Sequence, residues 1–244
     1  MELGLAGRRA LVTGASAGIG RAIAAELARE GAEVHVASRS AERIEAAAGE
    51  IGATAHVHDS ADLDGAAALL ESVGPLDVLV TNTGGPPGGM PLEFTRDQWE
   101  DAYRDLVLSP MELVQLALPG MRERGWGRVV NVVSTTVREP VPPLMLSNAH
   151  RAATLAAFKT LAREVAPDGV TLNSVLPGRI ATDRLFSMYG GSENAQAMAS
   201  EEVPAGRLGT PEEMAAAAVF LCSERAAYIT GVALLIDGGL TRSV

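Results

Sequence analysis

The sequence predicts a single-domain α/β fold, a doubly wound parallel sheet with helices on both faces. Strand-length apolar runs alternate with longer helical patterns along the whole 244-residue chain. Most of these runs are continuously apolar, as expected where helices cover both faces of a parallel sheet. No linker or shift in composition divides the chain, so we expect one domain over residues 1–244.

Seven short segments are the predicted strands, because each is rich in apolar or β-branched residues. Parallel neighbours need crossover connections, so the helical stretches between these segments are expected to form the two outer layers. In chain order the segments are Ala10–Thr13, Glu33–Ala37, Thr54–Val57, Val78–Thr81, Arg128–Val133, Val170–Val175 and Val232–Ile236.

The first and last long helices have recognisable ends. Ile19, Ile23 and Leu27 recur at four-residue spacing, and Gly31 follows them as a helix stop. The run 210–213 (Thr-Pro-Glu-Glu) supplies an N-cap threonine, a proline at the first helical position and an acid at the third. Both patterns predict amphipathic helices that pack on the sheet.

The middle of the chain contains one long helical segment with an internal break. Thr95 and Gln98 form a predicted capping box that opens the segment, which ends near Gly125. Pro110 lies inside it and is expected to kink or interrupt the helix. Residues Asp183–Gly206 carry the least pattern, and we expect them to form a mobile excursion on the substrate side.

Composition excludes several classes of function. Twenty basic and thirty acidic side chains give a formal charge of −10, which disfavours nucleic acid or an anionic membrane as a main partner. The single cysteine, Cys222, cannot form an intramolecular disulfide or a metal cluster. No uncharged apolar run reaches the roughly 18 residues of a membrane span. With no basic-then-apolar secretion pattern at the start, we expect a cytoplasmic protein.

The first strand runs into a glycine-rich turn, the run Thr13–Gly20 (TGASAGIG), and then into a helix. Glycines 14, 18 and 20 allow a tight turn and leave no Cβ in the way of an approaching pyrophosphate. The following helix directs its free N–H groups and its positive dipole end at such a phosphate. An ordinary glycine-rich turn is the alternative, but the strand before and the helix after favour dinucleotide binding.

The spacing in this turn resembles the Thr-Gly-x-x-x-Gly-x-Gly pattern of the short-chain dehydrogenase/reductase family. Further matches follow in the order of the family's motifs and extend over nearly the whole chain. They are most similar to 3-oxoacyl-acyl-carrier-protein reductase-like members. The matching residues are Asp59, Asn82-Thr83-Gly84-Gly85, Ser134, Asn173, Pro177, Gly178, Thr182 and Asp237-Gly238-Gly239.

This resemblance implies a Rossmann fold that binds a nicotinamide cofactor, and a small-molecule substrate. It implies no metal. The residues expected to bind the cofactor, from this resemblance and from their own chemistry, are Gly14, Ser16, Gly18, Ile19, Gly20, Ser38, Arg39, Asp59, Asn82, Gly84, Arg151, Pro177, Gly178, Ile180 and Thr182.

The end of the second strand bears on which dinucleotide is bound. An acid at this place would hydrogen-bond a ribose 2′-hydroxyl and repel a 2′-phosphate. This chain has Ser38, Arg39 and Ser40 instead, a cation and two hydroxyls that suit a 2′-phosphate. NADP(H) is therefore favoured over NAD(H). The alternative is that Arg39 is only a solvated residue at the start of a helix. Ala17 also argues against the preference for NADP(H), because many NADP-dependent relatives have a basic residue at its position.

The catalytic pattern of the family is broken in this chain. In the family, Asn, Ser, Tyr and Lys assist hydride transfer, and the lysine follows the tyrosine by four residues on the same helix face. Only Ser134 matches. Alignment places Ser147 at the tyrosine, Arg151 at the lysine and Leu106 at the asparagine. None of the chain's three tyrosines precedes a lysine or arginine by four residues.

These replacements change the expected chemistry. A serine hydroxyl is a much poorer acid than a phenol, so Ser147 is a weak substitute for the proton donor. Arg151 keeps a positive charge and can still hold ribose hydroxyls or a phosphate. His150 is a candidate proton donor, because histidine titrates near neutral pH. A surface or subunit-interface histidine is the alternative.

Three functional hypotheses remain open. The first is a divergent oxidoreductase that uses NADP(H) and acts on a carbonyl or alcohol, with the proton supplied by water, His150 or the substrate. In it Ser134 orients the substrate oxygen and Arg151 holds the ribose. The second is a catalytically silent dinucleotide-binding or scaffold protein. The third is an elimination, isomerisation or hydration on the same scaffold.

The resemblance also implies a homodimer or homotetramer, with dimer faces on the helices that contain Leu106–Met121 and Ala152–Val165. Pocket shape is expected to depend on Pro86–Pro91, Arg138–Met145 and the 183–206 excursion. None of these segments carries a pattern that identifies the substrate. The histidines in or beside strands have no metal-ligand partners in the sequence, and we interpret them as structural.

Overall fold

The computed structural model describes residues 2–243, and its centre is a parallel sheet of seven strands in the order β3-β2-β1-β4-β5-β6-β7. The predicted α/β class is confirmed, and the predicted strands are present with boundaries shifted by at most two residues. The strands are β1 (Arg9–Thr13), β2 (Glu33–Ser38), β3 (Thr54–Val57), β4 (Val78–Thr81), β5 (Gly127–Val132), β6 (Val170–Pro177) and β7 (Ala233–Ile236).

Helices cover both faces of this sheet, and they connect strands that run in the same direction. None within residues 2–243 is long and apolar enough to cross a membrane. The helices are α1 (Gly18–Arg29), α2 (Ala41–Ile51), α3 (Gly65–Val73), α4 (Arg96–Tyr103), α5 (Ser109–Glu123), α6 (Met145–Val165), α7 (Asp183–Tyr189), α8 (Ser192–Glu202) and α9 (Pro211–Cys222).

Each face of the sheet has its own apolar core. On one face, Ile23 and Leu27 of α1 pack with Met214 of α9 against the sheet, and all three are fully buried. On the other face, Met121 of α5 and Phe158 of α6 are buried. Burial of each such side chain contributes about 1.5–3 kcal/mol, so these two layers fix the sheet.

The strand order creates a crevice at the carboxyl edge of the sheet. Strands β1 and β4 are hydrogen-bonded neighbours, although β2 and β3 lie between them in the sequence. The connection after β1 therefore leads one way along the sheet and the connection after β4 leads the other way. Ligands of doubly wound sheets bind where these connections diverge.

The predicted interruption of the long central helix is confirmed. Thr95 forms the capping box at the start of α4, and residues Arg104–Leu108 then form a single π-helical stretch before α5. Pro110 has no N–H to donate to the carbonyl four residues earlier, that of Leu106. The Thr154 hydroxyl donates to Leu106 O instead, at 2.5 Å. A side chain of α6 thus compensates for the proline.

The 183–206 segment, where the sequence carries the least pattern, forms regular helices. It contains α7 and α8, and a small apolar cluster joins them to the following loop. The pattern was missed because the residues that α8 buries, Ala195 and Ala199, are small and give little hydrophobic contrast. The mobility of this segment stays a prediction. The capping box at Thr210 and Glu213, which opens α9, is confirmed.

Candidate active site

A cleft with two adjoining parts opens at the carboxyl edge beside the β1–β4 junction. The β2 half, about 360 Å³, is lined by the loops after β1, β2, β3 and β4. The β5 half, about 590 Å³, is lined by the ends of β5 and β6 together with α6 and α7. Of the residues predicted for the site, all but Gly20 and His150 line one half or both.

The glycine-rich turn lies at the junction of the two halves. Gly14 has a φ of +59°, and a Cβ there would lie 2.5 Å from the carbonyl oxygen of Asn82. No side chain caps the start of α1, so the first N–H groups of that helix are left for a ligand. Ser16 lines the β2 half and Ile19 the β5 half. This turn has the geometry expected for binding a pyrophosphate.

Gly20 lines neither half of the cleft, and its assignment as a cofactor contact stays a prediction. It is buried, and a Cβ there would lie 2.5 Å from the carbonyl oxygen of Gly14. The glycine is needed because the first turn of α1 approaches the end of β1 closely. Its contribution is to the packing of helix against strand.

Asn82 fastens the end of β4 to the end of β1. Thr13 Oγ1 donates to Asn82 O at 2.9 Å and accepts from Asn82 N at 3.0 Å. Asn82 Nδ2 donates to Gly14 O at 3.1 Å. The polar contacts hold the glycine turn in position, and Asn82 and Gly84 still line both halves of the cleft.

The β2 half brings together the residues predicted to select the cofactor. Ser38 lines this half, and its buried hydroxyl has no hydrogen-bond partner among residues 2–243. Arg39 is exposed at the mouth and Asp59 lies in the same lining. Arg43, which the sequence analysis missed, joins them from the first turn of α2. Its position four residues after Arg39 was the available signal.

Asp105 is a second residue that the sequence did not reveal. It lies in the π-helical stretch and lines the β2 half. Burial raises the pKa of its carboxyl group, and the negative charges of Asp59 and Asp101 raise it further. The β2 half is therefore lined by the carboxyl groups of Asp105 and Asp59 as well as by the basic side chains of Arg39 and Arg43.

The β5 half brings together Ser134, Ser147 and Arg151. Ser134 follows β5, and its Oγ accepts a hydrogen bond from Thr136 N at 3.2 Å. Ser147 and Arg151 lie one turn apart on α6, and Arg151 Nε donates to Ser147 Oγ at 3.2 Å. Because the serine oxygen accepts this bond, its own hydrogen is available to a group in the cleft.

Arg151 is held by two backbone carbonyls in addition to the serine. Nη1 donates to Val132 O at 2.8 Å, and Nη2 donates to Gly84 O at 3.4 Å. Burial, and to a smaller extent the charge of Arg184, lower the pKa of its guanidinium to about 10. The group remains a cation at neutral pH and is fixed beside Ser147.

His150 is not part of the cleft. Its Nδ1 lies 2.8 Å from Leu146 O, and its ring packs edge-on against Trp99 of α4, with 5.2 Å between ring centroids. Three residues along a helix carry the side chain about 60° away from Ser147, which is enough to reach the neighbouring helix instead of the cleft. This placement argues against His150 as the proton donor.

The loop after β6 forms the opposite wall. Pro177, Gly178 and Ile180 line the β5 half. Thr182 caps α7 by accepting from Leu185 N at 3.3 Å. Its Cγ2 lies 3.3 Å from where a Cβ on Gly18 would be, so it faces the glycine turn across the cleft.

Arg184 is the main side chain of the β5 half that sequence reasoning missed. From α7 it crosses to the loop after β4, where Nη1 donates to Gly85 O at 3.1 Å and Nη2 donates to Pro86 O at 3.3 Å. The contact joins residues 98 or 99 positions apart in the sequence, so no local pattern predicts it.

Comparisons with known proteins agree with this geometry. A sequence model described as Enoyl-(Acyl carrier protein) reductase matches residues 14–241. The chain is 34% identical to 3-oxoacyl-[acyl-carrier-protein] reductase of Aquifex aeolicus, over 98% of this chain and 100% of the relative. It is 36% identical to gluconate 5-dehydrogenase of Gluconobacter oxydans, over 98% and 97%. L-Sorbose reductase from Gluconobacter frateurii, solved with NADPH and L-sorbose, is similar with a TM-score of 0.95 and 34% identity over 100% of both chains.

Proposed function

The chain belongs to the short-chain dehydrogenase/reductase family of oxidoreductases, and we propose that it transfers hydride between NADP(H) and a carbonyl or alcohol substrate. The observation that carries this proposal is one continuous cleft with a dinucleotide-type glycine turn at its centre and a Ser134–Ser147–Arg151 cluster in its β5 half. The 3-oxoacyl thioesters and ketoses of the relatives are the first substrates to test.

The described residues fit a nicotinamide dinucleotide. The glycine turn and the free N–H groups of α1 suit the pyrophosphate, and the unpartnered hydroxyl of Ser38 suits the adenosine ribose. Arg39 and Arg43 offer two cations for a 2′-phosphate. The NADPH in the similar sorbose reductase structure supports the same preference. Asp59 is proposed to contact the adenine.

A bound nicotinamide supplies or accepts the hydride at the substrate carbon. As hydride adds to a carbonyl carbon, the π-electron pair moves onto the oxygen, which needs hydrogen-bond donors and positive charge. Ser134 and Ser147 can donate to that oxygen, and Arg151 stabilises the charge through Ser147. A serine is much shorter than a tyrosine, and the space it leaves can admit the water that completes protonation.

A silent dinucleotide-binding protein is the second candidate, and specific replacements favour it. Ser147 and Arg151 stand where the family carries its tyrosine and lysine. Leu106, at the asparagine position, is 3% exposed and has no polar group in its side chain. This candidate binds the cofactor without turnover.

Measurements of NADPH oxidation distinguish the two candidates. With 3-oxoacyl thioesters, ketoses, aldehydes and quinones as substrates, the oxidoreductase proposal expects turnover by the wild type. It also expects a loss of kcat of about 10- to 100-fold in Ser147→Ala, with the KM for NADPH unchanged. Turnover that is absent from the wild type and created by Ser147→Tyr with Arg151→Lys would instead identify a silenced site.

The expected homodimer or homotetramer is also part of this proposal. Tyr103 of α4 and Leu116 of α5 are large apolar side chains that are 45% and 40% exposed. They lie on the long helical segment predicted to form a dimer face. Sedimentation velocity measures the assembly, and a monomer at micromolar concentration would contradict it.

A further inference from the structure

The β5 half of the cleft is basic, although the protein as a whole is acidic. The chain carries a formal charge of −10, so a cationic pocket is not expected from composition. A pocket whose sign opposes that of the whole protein concentrates anionic ligands. The charged residues that line the β5 half are four arginines and one aspartate: Arg43, Arg151, Arg179, Arg184 and Asp183.

Two of these arginines, Arg179 and Arg43, already have a negatively charged partner in the protein or in the proposed cofactor. Arg179 forms a salt bridge with Glu202, with 3.2 Å between Nη2 and Oε2. Arg43 also lines the β2 half beside Arg39, where the 2′-phosphate of the proposed cofactor is expected. Arg184 lines both halves too, but its guanidinium is bonded to the loop after β4. Arg151 and Arg184 form no salt bridge with any residue between 2 and 243.

The two unpaired guanidinium groups converge on one loop. Arg151 Nη2 donates to Gly84 O at 3.4 Å, and Arg184 Nη1 donates to Gly85 O at 3.1 Å. They come from two different helices, α6 and α7. The hydrogen bonds leave N–H donors free on both groups, because a guanidinium has more donors than these contacts use.

The positive charges of Arg151 and Arg184 repel each other and are partly removed from water. Burial lowers the pKa of both guanidinium groups, and the charge of Arg184 lowers that of Arg151 further. Two partly desolvated cations close together are stabilised by an anion that binds between them. Guanidinium donors match the paired oxygens of a carboxylate or a phosphate.

We propose that Arg151 and Arg184 form an anion-binding subsite in the β5 half, and that the substrate carries a carboxylate or phosphate near its reacting carbon. The proposal rests on the proposed function, because Ser134 and Ser147 define where that carbon lies. The subsite belongs to the substrate end, since Arg151 is bonded to Ser147. The pyrophosphate is instead expected where Thr182 faces Gly18.

Calorimetry on the NADP⁺-saturated protein tests the subsite without requiring turnover. The probes are 2-oxobutyrate, its methyl ester and inorganic phosphate. We expect the acid to bind at least about 10-fold more tightly than the ester. Arg184→Met should remove this preference by weakening only the acid and phosphate, and Arg184→Lys should keep part of it. The affinity for NADP⁺ should change less than about twofold.

Arg179→Met is the matched control, because Arg179 lines the same half but is already paired with Glu202. It should leave the preference for the acid intact, and thermal melts of all variants verify that they fold. Equal binding of acid and ester, or no binding of acid or phosphate, would overturn the proposal. A loss of NADP⁺ affinity in Arg184→Met would also overturn it, since the anion would then belong to the cofactor.

The two proposals fail in different ways. If the wild type binds no NADP(H), the proposed function is wrong. The same probes titrated into the cofactor-free protein then still test whether Arg184 binds an anion. If NADP⁺ binds and the acid shows no preference over the ester, only the subsite is wrong.

Discussion

The two halves of the cleft differ in how closely they follow the family to which the chain belongs. The junction and the β2 half keep the glycine turn, Asn82 and the basic residues after β2, in the arrangement a dinucleotide needs. The β5 half contains Ser134, Ser147 and Arg151, and the last two are predicted to stand in place of the family's tyrosine and lysine. The fold that carries both halves is the same, with a TM-score of 0.95 to a sorbose reductase.

This contrast shows which part of the site is set by backbone and which by side chains. Pyrophosphate is bound mainly by N–H groups and by the absence of Cβ atoms, so it depends on the shape of the chain. Proton transfer depends on the acidity of single side chains, which can be replaced without disturbing the sheet. Binding of the dinucleotide and its chemistry are therefore separable, and substitutions in each half should have different effects.

The largest expected effect comes from breaking the glycine turn. In Gly14→Ala, the new methyl would lie 2.5 Å from Asn82 O in a backbone conformation with φ of +59°. The turn must shift, so NADPH affinity should fall by more than about 100-fold by calorimetry. Gly49→Ala, where a Cβ meets nothing within 4 Å on α2, is the control. Unchanged affinity in Gly14→Ala would show that the cofactor does not use this turn.

Removing the cation at the end of β2 should have a smaller and selective effect. Arg39→Ala should weaken NADPH by about 10- to 100-fold, because a charge-assisted hydrogen bond to the 2′-phosphate is lost. NADH, which has no such phosphate, should bind as before. The exposed Arg163, on the part of α6 away from the cleft, provides a control in Arg163→Ala. Equal weakening of NADPH and NADH would refute selection by Arg39.

The hydrogen bond from Thr154 of α6 to Leu106 O in the interrupted helix can be tested by its effect on stability. Thr154→Val should lower the free energy of unfolding by about 1–3 kcal/mol, because Leu106 O loses the hydroxyl that replaces its helical partner. Thr160 also bonds within α6, to Ala156 O at 3.0 Å, but is exposed. Thr160→Val should stay within about 0.5 kcal/mol in the same urea titration. Equal effects would contradict the role given to Thr154.

The smallest effect concerns pH and a pair of histidines on β2 and β3, at one edge of the sheet. His56 Nε2 lies 2.9 Å from His35 Nδ1, and its Nδ1 lies 3.1 Å from Ser72 Oγ. Burial lowers the pKa of His56, and the charge of His35 lowers it further. The unfolded chain therefore binds more protons as pH falls through about 6.5, and stability is lost below that pH.

Unfolding in urea at pH 7.5 and 5.5 measures how much of the free energy of unfolding is lost between the two pH values. His56→Gln should reduce the loss of stability between the two pH values, by less than about 1 kcal/mol after solvent screening. Thr160→Val, which leaves the histidines unchanged, should keep the loss seen in the wild type. A variant His56→Gln with the full pH dependence of the wild type would show that other groups cause it.

Local signals predicted the elements of the fold well. Continuous apolar runs located the strands, and the capping boxes at Thr95 and Thr210 located the starts of α4 and α9. The alanines that α8 buries, Ala195 and Ala199, gave too little contrast for that helix to be predicted. Thr154 and Leu106 are 48 residues apart, and the bond between them depends on how α6 packs.

The site was predictable where the backbone determines it and less so where side chains meet across the cleft. The glycine turn was located by its spacing between a strand and a helix, and Ser134, Ser147 and Arg151 were located by the resemblance to the family's motifs. Arg184 was not, because its contacts with the loop after β4 exist only once α7 has folded over the cleft. Spacing along α6 also suggested His150, and only the packing against Trp99 shows that its ring faces α4.

We propose that the β2 half and the glycine turn bind a dinucleotide, although Ser147 and Arg151 are predicted to replace the catalytic tyrosine and lysine. Calorimetric titration of the purified wild type with NADPH and, separately, with NADH tests this most directly. We predict a micromolar Kd for NADPH and weaker binding of NADH, as the basic residues after β2 require. No binding of either dinucleotide would contradict the claim and leave a scaffold protein, or a different ligand, as the better account.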